Sequence, residues 1–250
     1  MALPSYRLDL FVRAGLLNPQ RVLIYLYEKN LISAPYLNVV SVDLNGMTAP
    51  NKPPGTVPML RVPDGTIINQ SIAIIDFFED LCENPMEEWH KEFAKIAMKG
   101  SMRGNTAQER ARTREKLGIA DELTLQIGWA AHKGNKLFSA HEETNVDASR
   151  LMLQCARKTM RLLEKYYTQE TRTWESGEVT VAECVLFAIL AFANDFYGIK
   201  LAISDRFPAL ARFYEEFGKR ESTKISPGEW ESLAHIGEAM GQSWMFEDVW

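Results

Sequence analysis

The chain begins with an alternation of apolar and polar residues that has the period of a β-strand. Every second residue from Tyr6 to Val12 is apolar, and the run stops at Ala14-Gly15. Asn18-Pro19 then opens a segment from Gln20 to Asn30 with apolar residues at helical spacing, and Pro19 suits a first helical turn. The segment from Leu37 to Val42 is predicted to form a second strand. The pattern therefore predicts a β-α-β unit.

A proline-rich loop from Ala49 to Pro54 leads into a predicted hairpin and a second helix. Two short strands, Met59 to Val62 and Thr66 to Ile68, flank Pro63-Asp64-Gly65, and Asp-Gly is a strong signal for a tight turn. An amphipathic helix follows Gln70-Ser71, with Ser71 as its candidate N-cap. This second block is β-β-α.

The pattern changes near Glu83-Asn84-Pro85, after which only helical periodicity is convincing. We therefore expect an α/β domain over residues 1–84 and an all-α domain over residues 85–250. The predicted helices of the second domain are Glu87–Lys99, Gln108–Lys133, Asp147–Tyr167, Val181–Phe196, Pro208–Lys219 and Glu229–Met240.

Composition and charge narrow the class of protein. The 250 residues are 46% hydrophobic and carry a formal net charge of -5, which disfavours nucleic-acid and anionic-membrane partners. No apolar run approaches the length that spans a bilayer. Cys82, Cys155 and Cys184 are scattered, and the histidines lack metal-ligand spacing. We expect a cytoplasmic protein that acts on a small molecule without a metal.

Two short stretches suggest a ligand site. If the Val57-Pro58 bond is cis, the Val57 backbone turns its N–H and C=O outward, where a peptide-like ligand pairs as an added strand. The alternative is a trans proline in an edge strand. Ser71 stands at a helix start, where free N–H groups and the helix dipole suit a carboxylate, although a serine at such a position is more often a plain N-cap.

Taken in order, the motifs resemble those of the glutathione transferase superfamily. Gly55-Thr56-Val57-Pro58-Met59-Leu60 looks like its Gly-x-Val-Pro-x-Leu strand, and Asn69 to Ile75 looks like its Glu/Gln-Ser-x-Ala-Ile helix start. Thr180-Val181-Ala182-Glu183 is similar to its Thr-Ile-Ala-Asp capping box, and Arg206 to Leu210 is similar to the start of its closing helix. The resemblance implies a thioredoxin-like N-terminal domain followed by an all-helical C-terminal domain, and a homodimer.

The resemblance also implies a glutathione site. The Val57 backbone would pair with the cysteinyl part of glutathione, Gln70 and Ser71 would hold its γ-glutamyl end, and Lys52 would meet the glycyl carboxylate unless it is a solvated loop lysine. The implied glutathione-binding residues are Lys52, Thr56, Val57, Pro58, Gln70 and Ser71.

The catalytic position departs from the better-known classes of the superfamily. Phe11 and Val12 stand where some classes carry tyrosine, and Leu16 and Leu17 stand where others carry serine or cysteine. The first polar candidate is Asn18, which lines up with the asparagine of the Nu and fungal nitrogen-regulator-like classes. An Asn N–H₂ can donate to a thiolate and lower its pKa. Asn18 as a helix cap is the structural alternative, and it is compatible with the catalytic one.

Arg13 is a second, weaker candidate for electrostatic help at the thiol. The reaction would be conjugation of glutathione to a small apolar electrophile, or reversible addition that permits cis-trans isomerisation. Gln70-Ser71 also occurs in zeta-type isomerases, but their Ser-Ser-Cys loop is absent here.

The second substrate is expected to lie against the helical half. Trp129, His132 and the aromatic residues near Phe138 are candidates, although helical spacing also suits ordinary core or surface residues. The aromatic tail from Trp230 to Trp250 would fold over the pocket, the core or a partner. The divergent loop and this tail suggest a role in secondary metabolism. A non-catalytic glutathione-binding or interaction scaffold is the rival function.

Overall fold

A computed structural model describes residues 7–44, 46–97, 100–224 and 227–250. A four-stranded sheet contains β1 (Leu8–Val12), β2 (Leu37–Ser41), β3 (Met59–Arg61) and β4 (Ile67–Asn69), in the order β2-β1-β3-β4. Strand β1 pairs in parallel with β2 and antiparallel with β3, and β3 pairs antiparallel with β4. The predicted β-α-β and β-β-α blocks are confirmed. Predicted Tyr6 lies outside the described residues.

Helices connect and follow these strands. They are α1 (Leu17–Glu28), α2 (Ser71–Glu83), α3 (Glu88–Ile96), α4 (Ala107–Gly134), α5 (Val146–Thr168), α6 (Val181–Asp195), α7 (Pro208–Phe217) and α8 (Pro227–Gln242). Two short 3-10 helices, Lys136–Ala140 and Glu221–Thr223, lie between them. Each predicted helix is present within a few residues, and Lys99, the predicted end of α3, lies outside the described residues. The thioredoxin-like domain followed by a helical domain is confirmed.

The chain contains two compact units. We call Met1–Arg110 with Val179–Cys184 the N-terminal unit, and Ala111–Glu178 with Val185–Trp250 the helical unit. The N-terminal unit thus takes in α3 and the segment after it. The functional division near residue 84 stays a prediction.

A buried polar network explains why the segment after α3 belongs to the N-terminal unit. Glu79 on α2 is fully buried and pairs with the buried Lys29 ammonium at 2.7 Å. Its carboxylate also accepts from the Tyr25 hydroxyl at 2.8 Å and from the Met102 N–H at 2.9 Å. Lys29 in turn donates to the Gly100 carbonyl at 2.7 Å. The network therefore ties residues 100–102 to α1 and α2.

A second carboxylate, Glu83, sits beside this network. It accepts from Ser101 at 2.5 Å and pairs with Arg103 at 2.9 Å and Arg110 at 3.0 Å. Burial raises the pKa of Glu83, but the hydrogen bonds from Ser101, Arg103 and Arg110 outweigh burial and hold the pKa below its usual value. Folding therefore favours the ionised form of Glu83.

This shift makes a prediction about acid. Because the folded pKa is lowered, the stabilisation from Glu83 is complete above the unfolded value of about 4.3 and is lost as pH falls through the folded pKa. The free energy of unfolding of Glu83→Gln should therefore lie furthest below wild type at neutral pH, and the gap should narrow in acid. Urea unfolding at several pH values measures this gap. Glu88→Gln, which alters an exposed carboxylate, is the control, and a Glu83 gap that does not change with pH would contradict the prediction.

Two local predictions about turns and caps are confirmed. The Gly65 N–H donates to the Val62 carbonyl at 2.9 Å, and Gly65 takes the positive φ of 90° that the Asp-Gly turn requires. At the start of α6, Glu183 accepts from the Thr180 N–H at 2.7 Å, while the Thr180 hydroxyl accepts from the Ala182 N–H at 3.3 Å. This reciprocal cap supports folding.

The aromatic tail packs within the helical unit. Trp244 forms an isolated bridge with the buried Asn135 and donates its indole N–H to the Tyr197 carbonyl at 2.8 Å. Met245 donates to the Gly134 carbonyl at 2.9 Å, and Phe246 is buried. Residues 244–246 therefore pack on the helical unit, and coverage of a pocket or of a partner by the tail stays a prediction. Across the described residues, no helix has the length and apolar character needed to cross a membrane.

Candidate functional site

The strand registers bring the candidate residues to one edge of the sheet. Phe11 at the end of β1 pairs with Met59 at the start of β3, and Met59 pairs with Asn69 at the end of β4. The loop that follows β1, the Val57-Pro58 segment before β3 and the Gln70-Ser71 segment after β4 therefore share this edge. Strand β2 also ends there, because Ser41 pairs with Val12.

Asn18 lies at this edge, near the start of α1. The helix begins at Leu17, earlier than predicted, and its N-cap is Leu16, which makes no side-chain cap bond. Asn18 as the helix cap is therefore wrong, because the turn that ends β1 brings Leu16 to the capping position. The Asn18 side chain is exposed at the second helical position. It remains available to a ligand next to the positive end of the helix.

The turn between β1 and α1 is held by backbone and side-chain bonds. Gly15 has a φ of 83°, and its N–H donates to the side-chain oxygen of buried Gln20 at 3.0 Å. The Leu16 N–H donates to the Arg13 carbonyl at 3.3 Å, and Arg13 is half-buried. Phe11 is buried with Val42 and Met59 in an apolar cluster. The position that carries tyrosine in some classes is thus part of the core.

The Val57-Pro58 bond is cis, which settles the alternative that the sequence left open. The ladders of β3 begin at Met59, beyond Val57. Val57 is half-buried and Thr56 is exposed. Lys52 donates to the carbonyls of Pro53 at 3.1 Å and Gly55 at 2.6 Å, so its ammonium organises the loop that leads to Val57.

Gln70, and not Ser71, occupies the N-cap position of α2. The N-cap of α2 is Gln70, which makes no side-chain cap bond, and Ser71 is the first helical residue. Ser71 as the N-cap is therefore wrong. Gln70 has φ 74° and ψ 127°, a conformation that residues with a side chain rarely adopt and that clusters at ligand sites. Ser71 is buried and Gln70 is exposed.

Arg21 is the site residue that sequence reasoning missed. It lies on α1 with only 2% of its surface exposed, and its guanidinium donates to the Ser71 hydroxyl at 3.5 Å. A buried positive charge thus stands behind the N-terminal end of α2, where the dipole is also positive. Both features attract a carboxylate. The signal in the sequence was an arginine next to Val22 and one turn before Tyr25, within a predicted helix.

The second-substrate candidates lie in the helical unit. The His132 ring stacks on Phe138 with centroids 3.9 Å apart and contacts the Glu142 carboxylate at 2.5 Å. Lys133 pairs with the same carboxylate and lies over the Trp129 ring. Trp129 is exposed and His132 is half-exposed, so of the two structural alternatives, core and surface, both residues take the surface one.

Sequence comparison assigns the family. Residues 17–81 match the family model described as glutathione S-transferase, N-terminal domain, and residues 130–225 match the model of the C-terminal domain. Together the two spans cover well over half of the chain. The chain belongs to the glutathione S-transferase superfamily. A comparison with curated proteins gives no significant match.

Solved structures of glutathione transferases share the fold. Gtt2 from Saccharomyces cerevisiae is 21% identical with a TM-score of 0.65, and the match covers 86% of this chain and 98% of that one. A glutathione transferase family member from Pseudomonas fluorescens with bound S-(propanoic acid)-glutathione is 16% identical with a TM-score of 0.64, covering 86% and 96%. A glutathione S-transferase from Methylobacillus flagellatus with glutathione bound has the same values. At this identity the likeness concerns the fold.

Proposed function

We propose that this glutathione S-transferase superfamily member binds glutathione at the sheet edge of its N-terminal unit and activates the thiol for addition to an electrophile. The observation that carries the proposal is the convergence at that edge of Asn18, the Val57 backbone and Ser71, with buried Arg21 behind Ser71. Structures of the same fold that hold glutathione or a glutathione conjugate support it.

Ser71 and Arg21 would hold the γ-glutamyl carboxylate. The Ser71 hydroxyl and the first N–H groups of α2 are donors, and the guanidinium supplies the charge. Gln70, exposed at the same point, would reach the amino end of the ligand.

The Val57 backbone, Pro58 and Thr56 would line the strand-like middle of the ligand. Val57 precedes the first paired residue of β3, so an extended peptide can continue the sheet there. Lys52 would approach the glycyl carboxylate from its loop, where its ammonium already contacts the Gly55 carbonyl. The proposed reaction uses no metal ion.

Asn18 would act on the sulfur. Its amide N–H₂ donates to a thiolate better than to a thiol, and the positive end of α1 adds to the effect. Arg13, half-buried in the same turn, would add positive potential. The thiolate, once formed, adds to an apolar electrophile; if the adduct rotates about its single bond and glutathione leaves, the same site isomerises a double bond. We further propose that the protein is cytoplasmic and that it forms a homodimer. A mass measurement in solution would check the homodimer.

Asn18→Ala tests the activation step. We expect glutathione still to bind, the pKa of its bound thiol to rise by about one unit, which corresponds to about 1.4 kcal/mol, and turnover at neutral pH to fall about tenfold. Calorimetric titration with glutathione and ultraviolet absorbance of the bound thiolate across pH measure both effects. Because Asn18 is exposed and does not cap α1, the variant should fold normally.

Asn18→Ser is the matched variant, since its hydroxyl keeps a donor near the sulfur and should retain most of the activity. An unchanged thiol titration in Asn18→Ala would remove Asn18 from the mechanism. The rival scaffold function has an observation in its favour, since residues 13–17 carry neither a hydroxyl nor a thiol. Binding of glutathione without any lowering of the thiol pKa would favour a non-catalytic glutathione-binding protein.

A further inference from the structure

Three arginines converge on a small hollow in the helical unit. The cavity has a volume of about 280 Å³ and is lined by Arg157, Arg161, Arg206 and Phe207. Arg157 and Arg161 are four residues apart on α5 and therefore share one helix face. Arg206 comes from the turn just before α7, and Phe207 is the N-cap of that helix. Phe207, the fourth lining residue, is buried.

The charges around this hollow are largely uncompensated. Among the side chains described in residues 100–224 and 233–250, none forms an ion pair or a hydrogen bond with Arg161 or Arg206, and both arginines are exposed. Arg157 donates to the Val249 carbonyl at 3.4 Å and lies over the Trp250 ring. Like charges one helical turn apart repel each other. In a protein of net charge -5, such a cluster is a local exception.

Two carboxylates lie nearby, and the more buried one is already engaged. Glu164, on α5 one turn beyond Arg161, accepts from the N–H groups of Ala209 at 2.8 Å and Leu210 at 3.0 Å. Both of its oxygens thus serve the start of α7. Asp205, next to Arg206, is exposed. Among the described residues, none of the three guanidinium groups forms an ion pair with a carboxylate.

We propose that this arginine hollow binds the phosphate group of a small phosphate monoester. A guanidinium matches phosphate with paired N–H donors, and three guanidinium groups suit three terminal oxygens better than the two of a carboxylate. The charge of a monoester dianion is also closer to that of the cluster. The volume lies just below the range of about 300–1,000 Å³ typical of pockets for drug-sized ligands, so the hollow takes the phosphate end of the molecule.

The test is calorimetric titration of the whole protein, in phosphate-free buffer of low salt, with phenyl phosphate, inorganic phosphate and benzoate. Phenyl phosphate should bind saturably and more tightly than benzoate, and its binding should strengthen as pH rises through about 6, where the dianion forms. Inorganic phosphate distinguishes the source: equal affinity assigns the hollow to free phosphate, and tighter phenyl phosphate assigns it to the ester. Absence of saturable binding at millimolar phenyl phosphate, or equal binding of benzoate, would overturn the proposal.

Variants locate the binding. Arg161→Ala and Arg206→Ala should each weaken phenyl phosphate by about tenfold or more, and Arg161→Lys should recover part of the loss. Lys158→Ala removes a charge from the same helix outside the hollow and should change affinity little. Equal losses of phenyl phosphate affinity in Lys158→Ala and Arg161→Ala would show general electrostatic attraction of the anion to α5 and would contradict a site in the hollow. Since the proposed glutathione residues lie in the other unit, saturating glutathione should not compete, and competition would count against the site.

Discussion

Replacing Glu79 by alanine should lower the free energy of unfolding by about 3–5 kcal/mol, the largest effect on stability that we expect from a single substitution. Glu79 is fully buried, and its carboxylate pairs with the Lys29 ammonium and accepts hydrogen bonds from the Tyr25 hydroxyl and the Met102 N–H. The substitution leaves the Lys29 ammonium buried without a counter-charge. Burial, together with the Glu79 carboxylate, raises the pKa of Tyr25 well above its usual value, so the phenol stays a donor and also loses its acceptor.

Urea unfolding of wild type and variant measures this loss. The matched control is Glu88→Ala, which breaks an exposed ion pair with Lys91 and should have little effect. If Glu79→Ala fails to fold, the double variant Lys29→Met with Glu79→Leu provides the second test, since removing both charges should restore much of the stability. A Glu79→Ala protein within about 1 kcal/mol of wild type would contradict the view that this network holds the segment after α3.

Replacing Ser71 by alanine should have the largest effect on ligand binding, weakening glutathione by about ten- to a hundredfold. The change removes the proposed donor to the γ-glutamyl carboxylate and, at the same time, the hydroxyl that accepts from buried Arg21. A hydrogen bond to a charged group contributes about 1.5–3 kcal/mol, which corresponds to that range. Calorimetric titration with reduced glutathione gives the dissociation constant directly.

Ser176→Ala removes an exposed hydroxyl in the other unit and serves as the control for the titration. Unfolding of both variants in urea shows whether any loss of affinity reflects a loss of fold. Equal affinity for glutathione in Ser71→Ala and wild type would move the γ-glutamyl end of the ligand away from α2. The loss in Ser71→Ala is expected in binding, whereas the loss in Asn18→Ala is expected in the thiol pKa, so the two variants separate binding from activation.

Local periodicity accounts for how well the elements were predicted. The alternation up to Val12, the Asp64-Gly65 turn and the Thr180 capping box each depend on residues within a few positions of one another. Such signals act whatever the rest of the chain does. The helix ends were predicted less well than the helices themselves. Helix α1 begins at Leu17, because the preceding turn places Leu16 at the N-cap position.

The candidate site was predictable where a motif marks it. Val57-Pro58 and Gln70-Ser71 carried enough pattern to be named, and the structure brings both to one sheet edge through the pairing of Met59 with Phe11 and Asn69. The choice between cis and trans at Pro58 was not decided by the motif alone. The motif also did not decide that Gln70 is the N-cap of α2 and Ser71 its first residue, because the cap depends on how the chain passes from β4 into α2.

The sequence by itself determined the order of strands and helices, the family, and the motifs that converge on the site. Tertiary structure alone decided which charged residues are buried: Arg21 behind Ser71, and Lys29 against Glu79. These partners lie about fifty residues apart in the chain. A charged residue is predicted to be exposed to solvent unless its partner is known, because charged side chains are seldom buried without one. The docking of the tail on Gly134 and Asn135 is likewise a long-range pairing, which no local pattern encodes.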